Sequence, residues 1–115
     1  MDTGDSANHI NPTVEHERVV VGRVQDLPPG RGATVEMSNG EELALFNVEG
    51  QLFAVENICP HKGAPLAEGT ICGHKLECPL HGWEFDVRTG KCLTTDADLK
   101  TYCVEIENEE IVILI

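Results

Sequence analysis

Two short segments each pair a cysteine with a histidine: Cys59-Pro-His61 and, after sixteen intervening residues, Cys78-Pro-Leu-His81. Both sit in stretches rich in proline and glycine, which read as loops and not as the interior of a helix or strand. A chain that uses the four side chains together must fold so that two loops distant in sequence meet at one point. The order C-x-H followed by C-x-x-H is far more specific than four scattered donors.

Two thiolates and two imidazoles are the donors of a mixed-ligand 2Fe–2S centre, with both thiolates on one iron and both imidazoles on the other. Zinc accepts the same set tetrahedrally, so a structural Cys2His2 zinc module is the alternative from another class. Zinc sites usually pair Cys with Cys and His with His, and they do not require two glycine-rich loops. The pattern therefore favours iron and sulfide. Charge explains the histidines. Two thiolates and two neutral imidazoles bring an oxidised 2Fe–2S core to zero net charge, whereas four thiolates would leave it negative and harder to reduce. Mixed ligation places the potential between roughly −150 and +300 mV. Four protein ligands and two bridging sulfides leave neither iron an open position. The implied chemistry is transfer of one electron at a time, with no substrate site of its own. Imidazole ligands with their second nitrogen at the surface hold that proton more tightly in the reduced state. The potential should then fall at alkaline pH, and a flat potential there would count against exposed imidazoles.

At 115 residues the chain suits one domain with a modest core. The longest aliphatic run, Ile111 to Ile115, is too short to span a bilayer, and Met1 to Ala7 has neither the basic start nor the apolar stretch of a secretory signal. Five cysteines, two of them wanted as thiolates, argue against a disulfide framework and for a reducing compartment, with the cytoplasm as the default. Residues 1–16 read as a disordered polar tail and residues 17–115 as the folded domain. Within the latter, strand patterns run over Arg18–Arg23, Thr34–Met37, Glu42–Val48, Gln51–Glu56, Thr101–Ile106 and Ile111–Ile115. Breakers separate them: Pro28 to Gly32, Asn39-Gly40, Glu49-Gly50 and Asn108-Glu-Glu. No long window has helical periodicity, so the chain is read as all-β.

The stretches Cys59-Pro-His-Lys-Gly-Ala-Pro-Leu-Ala-Glu-Gly69 and Cys78-Pro-Leu-His-Gly-Trp-Glu-Phe-Asp-Val-Arg-Thr-Gly90 resemble the two cluster-binding loops of Rieske ferredoxins. They are also similar to those of the small subunits of assimilatory nitrite reductases. The likeness extends over roughly Glu17 to Ile115. It implies an antiparallel β-sandwich base with a small inserted cluster-binding lobe over about 57–92. It also implies one Rieske 2Fe–2S cluster held by Cys59, His61, Cys78 and His81, the four residues already singled out by donor chemistry. As to role, it implies a carrier that passes electrons from a flavin reductase to a terminal oxygenase, and nothing in the sequence demands more than a monomer. The alternative is the electron-transfer subunit of a nitrite reductase, bound to a large catalytic subunit. High-potential relatives in cytochrome bc complexes place Ser and Tyr hydroxyls where this chain has Trp83 and Phe85, and a disulfide where it has Ala64 and Leu80. Fewer donors to the cluster place the midpoint near the lower end of the window, and a value above about +150 mV would defeat that expectation.

Smaller readings follow from single residues. Gly63, Gly69, Gly82 and Gly90 are turn formers. A cluster role, in which the missing Cβ lets backbone approach sulfide, is favoured for Gly63 and Gly82, and an ordinary turn for Gly90. Cys72, Cys92 and Cys103 lack partners at ligand spacing and are expected as buried free thiols. His74 is expected in an exposed turn, and His9 and His16 belong to the tail or its edge. Trp83 is either a shield over the centre or an anchor in the core. The net charge of −12 is unevenly placed. Residues 57–92 hold four bases and four acids, while the other sixteen acids face only four bases elsewhere. A neutral tip bordered by Pro60, Pro65, Pro79 and Leu80 suits brief contact with a redox partner, and so acidic a surface disfavours nucleic acid.

Overall fold

The computed structural model describes residues 17–60, 63–80 and 82–114, so the tail expected over residues 1–16 lies outside them. The strands are β1 (Arg18–Arg23), β2 (Gly32–Glu36), β3 (Glu42–Val48), β4 (Gln51–Glu56), β5 (Thr70–Cys72), β6 (Lys75–Glu77), β7 (Glu84–Asp86), β8 (Thr101–Glu107) and β9 (Glu110–Leu114). Among the described residues, helix is confined to two 3₁₀ turns, Val24–Asp26 and Leu66–Glu68. No helix among them is long and apolar enough to cross a membrane.

Six strands form one antiparallel sheet in the order β1-β9-β8-β4-β3-β2, and β5-β6-β7 form a smaller sheet lying between β4 and β8 in the chain. The larger sheet curls so that its two halves face each other. Leu43 and Leu45 of β3, Ala54 of β4, and Ile111 and Ile113 of β9 share one buried core with Leu27 and Met37. The all-β architecture expected from the sequence, a sandwich-like base with a small insert, is the observed one.

β3 explains how the two sheets are joined. From Leu43 to Val48 every residue is buried, and successive strand side chains point to opposite faces. Leu43 and Leu45 enter the base core, whereas Ala44, Phe46 and Val48 enter a second core. That second core also contains Leu66, Leu76, Phe85, Val87, Leu99, Cys59 and Cys78. A continuous apolar run signals a strand covered on both sides. β3 is therefore the wall against which the insert is built.

Turn chemistry sets the registers. At Asn39-Gly40 only Gly40 has positive φ (94°), and Met37 N–H donates to the Glu41 carbonyl at 2.7 Å. The result is a longer hairpin loop that ends in a left-handed glycine, not a two-residue turn. Glu49-Gly50 and Asn108-Glu109 do make two-residue turns, with positive φ at both positions and strand pairs Val48–Gln51 and Glu107–Glu110 on either side. The backbone at Glu109 is held by Val24 N–H, which donates to its carbonyl at 3.0 Å.

Candidate metal centre

The first ligand loop leaves β4 and runs into the 3₁₀ turn Leu66–Glu68; the second joins β6 to β7. Both close in the same way. Cys59 N–H donates to the Ala64 carbonyl at 2.9 Å, and Cys78 N–H donates to the Trp83 carbonyl at 2.7 Å. In each loop the residue just before that carbonyl is a glycine with left-handed backbone, Gly63 (φ 75°) and Gly82 (φ 70°). A side chain would be strained at either position. The two cysteines thus occupy equivalent places in two similarly closed loops, although the histidines follow at different spacings. Gly69 is not of this kind. Its φ is ordinary, and a Cβ there would lie 2.3 Å from the Glu77 carbonyl oxygen, so its smallness lets the chain pass β6.

Cys59 and Cys78 are 1% and 2% exposed and lie in one core cluster with Phe46 and Phe85. Burial pushes the Cys78 thiol above its ordinary range. A backbone hydrogen bond from Leu80 pulls the other way, and the Cys59 side chain beside it raises it again. Two buried thiols side by side ionise together only if a cation balances them, and an N–H directed at sulfur suits a thiolate. The donor set therefore fits an iron held by two thiolates. His61 and His81 lie outside the described residues, so the geometry here is that of the two cysteine positions.

The surroundings divide into apolar surface and firm packing. Ile58 (52%) and Leu80 (48%) are exposed large apolar side chains next to the ligand loops, and Pro60, Pro65 and Pro79 are exposed beside them. Trp83 packs against the core that holds both cysteines, as an anchor would. His74 stands in the β5–β6 turn but is half-buried, with its ring edge-to-face with Phe53 at 5.6 Å. Of the three remaining thiols only Cys92 is buried; Cys72 and Cys103 are exposed, contrary to expectation. Cys103 lies on β8 between Tyr102 and Val104, which pack against the base core, so alternation turns it outward. Cys92 Sγ accepts the Thr95 N–H at 3.2 Å, and Cys92 N–H donates to Asp98 Oδ1 at 2.9 Å. It is a structural thiol. A further polar residue near the site gave no sequence signal. Asn57, two residues before Cys59, is 6% exposed and bonds to Thr34, Glu42 and Ala67, partners that no local pattern could reveal.

Residues 17–105 match the family model described as the Rieske [2Fe-2S] domain. The chain belongs to this family. Membership carries with it one Rieske-type 2Fe–2S cluster, and the zinc alternative falls away. The ferredoxin component of the naphthalene 1,2-dioxygenase/salicylate 5-hydroxylase systems of Ralstonia sp is 44% identical over 92 residues, covering 78% of this chain and 88% of that relative. The Sphingomonas yanoikuyae B1 ferredoxin structure superposes with a TM-score of 0.78 at 32% identity, covering 84% of this Rieske chain and 97% of that one. The putative NADH-dependent nitrite reductase small subunit from Mycobacterium tuberculosis has a TM-score of 0.83 at 24% identity, covering 89% and 97%, which shows a shared fold.

Proposed function

We propose that this chain is a one-electron carrier that takes electrons from a reductase and delivers them to a terminal oxygenase. The observation that carries the reading is the pair of buried, adjacent thiols at equivalent points of two matched loops. They occur in a chain that spans most of the length of a stand-alone oxygenase ferredoxin. The nitrite reductase role is less favoured, because the oxygenase ferredoxins are the more similar in sequence. Cys59 and Cys78 supply the thiolates of one iron, and the C-x-H and C-x-x-H spacings assign His61 and His81 to the other. When bound, the cluster accepts and gives up a single electron.

The chain's own residues do the rest. The core around Phe46, Leu66 and Phe85 keeps water from the cysteine sulfurs, and the Leu80 backbone directs a hydrogen bond at Cys78. Ile58, Leu80 and the neighbouring prolines form a small apolar rim. A contact of that size holds a partner weakly and lets it leave after each transfer. Negative charge begins at the edge of that rim: a groove of about 560 Å³ beside the first ligand loop is lined by Glu41, Glu42 and Glu56 against Lys100. The exposed thiols of Cys72 and Cys103 suit a reducing compartment, which supports a cytoplasmic carrier.

The visible spectrum and the EPR of the dithionite-reduced protein test the proposal. A red-brown sample with an average g below that of all-cysteine 2Fe–2S proteins is expected, and a colourless, EPR-silent sample with one zinc per chain would end it. Electron transfer to the oxygenase followed by stopped flow should slow as salt rises, since acidic flanks steer encounter over about a Debye length, ~10 Å at 0.1 M. A rate indifferent to salt removes steering from the account.

A further inference from the structure

The ends of the second ligand loop are held by regular strand pairing, Glu77 with Glu84, Leu76 with Phe85 and Lys75 with Asp86. The first loop has no such frame. It leaves β4 after Glu56 and enters a 3₁₀ turn at Leu66, and no strand pair among the described residues brackets it. Something else must keep its ends together. From the geometry we infer that Asn57 is the positioning residue of this loop. Its one side chain ties the two ends of the loop to each other and to the base, and so sets where Cys59 stands relative to Cys78.

The bonds are specific. Ala67 N–H, at the far end of the loop, donates to Asn57 Oδ1 at 2.8 Å. Asn57 Nδ2 donates to Thr34 Oγ1 on β2 at 3.2 Å and to Glu42 Oε1 on β3 at 3.3 Å. Asn57 N–H donates to the Glu42 carbonyl at 3.0 Å. A backbone N–H can only donate, so the Ala67 bond fixes which way the amide points, and that orientation aims both amide hydrogens at the base. Three of the four bonds open to the amide are thereby made. The side chain is buried, where such bonds hold geometry more firmly than in water. Within this bracket Cys59 makes its own closing bonds to Gly63 and Ala64. Asn57 does for the first loop what β6–β7 pairing does for the second.

The inference rests on Cys59 being a cluster ligand, and the experiment separates the two. Holo wild type, Asn57→Ala and Thr34→Val are compared by EPR of the reduced state, midpoint potential, bleaching rate of visible absorbance and far-UV CD. Asn57→Ala is expected to show broadened or shifted g-values and a changed potential. It should also bleach at least about tenfold faster than wild type, at temperatures where its CD remains folded. Thr34→Val removes one base bond from an exposed position and should retain wild-type g-values. An Asn57→Ala protein with wild-type g-values and potential overturns the role, whether or not it bleaches faster. Altered g-values in Thr34→Val would also overturn it, by moving the control to the base. If Asn57→Ala does not fold, Asn57→Asp takes its place: it keeps the acceptor for Ala67 but loses both amide donors and sets a second carboxylate against Glu42. Its g-values should differ from wild type, and unchanged ones defeat the bracket. A wild-type protein without the mixed-ligand signal would instead remove the assignment of Cys59.

Discussion

Cys59→Ala and Cys78→Ala proteins should each emerge colourless and without stoichiometric iron and sulfide, while Cys72→Ser and Cys103→Ser keep full visible absorption. The contrast follows from where the thiols lie. Cys59 and Cys78 are almost fully buried against one another, with a backbone hydrogen bond aimed at the second. On the proposed ligation, losing either would leave one iron with a single thiolate in a dry site, where no water ligand substitutes well. Cys72 and Cys103 face solvent and stand apart from the ligand loops. Cys92→Ser is the informative intermediate. Its sulfur accepts a hydrogen bond from Thr95, and its backbone is bonded to Asp98. The variant should lose some stability and retain the cluster. Iron and sulfide analysis with the visible spectrum checks all five variants. A colourless Cys72→Ser protein, or a fully coloured Cys59→Ala protein, would overturn the ligand assignment.

Much of this layout was legible in residue order, and the exceptions have physical reasons. β1, β3 and β4 carry runs of β-branched and apolar residues bounded by glycine or polar turns, and their limits coincide with those expected. β5, β6 and β7 escaped notice because each is only three residues long, centred on one inward apolar side chain, Ile71, Leu76 or Phe85. Such segments are too short for periodicity to register and become strands only because those central side chains reach the core behind β3. That Cys59 and Cys78 belong together was likewise readable from their two matched motifs. Their burial was not, since it depends on Phe46 and Leu66 arriving from elsewhere in the chain. Cys103 was misjudged by residue type, although its alternation with Tyr102 and Val104 carried the right answer. Asn57 marks the limit of local reading. Its meaning lies wholly in contacts to residues 34, 42 and 67.

Phe46→Ala tests whether the wall formed by β3 holds the centre together as well as the fold. The ring is fully buried on the face turned toward the ligand loops. It also lies against the Gly32 backbone so closely that a Cβ there would be 2.6 Å from Cε1. Truncation leaves a void bounded by backbone on one side, which resists collapse, and Phe→Ala changes at such sites cost about 3–5 kcal/mol. Against a total stability of about 5–15 kcal/mol, that is a large share. Because the same core contains Cys59 and Cys78, the variant should also lose its visible absorption faster than wild type. Ile113→Val is the matched comparison. Ile113 is equally buried but belongs to the base core, with Leu43 and Leu45. Its loss of one methyl group should cost about 0.5–1.5 kcal/mol and leave the bleaching rate near that of wild type. Denaturant titration followed by far-UV CD gives the first quantity, and absorbance decay gives the second. If Phe46→Ala cost under about 1 kcal/mol, the core would have closed around the void. If it bleached no faster than Ile113→Val, the two cores would be coupled so tightly that β3 no longer divides the molecule into a base and a cluster-holding face.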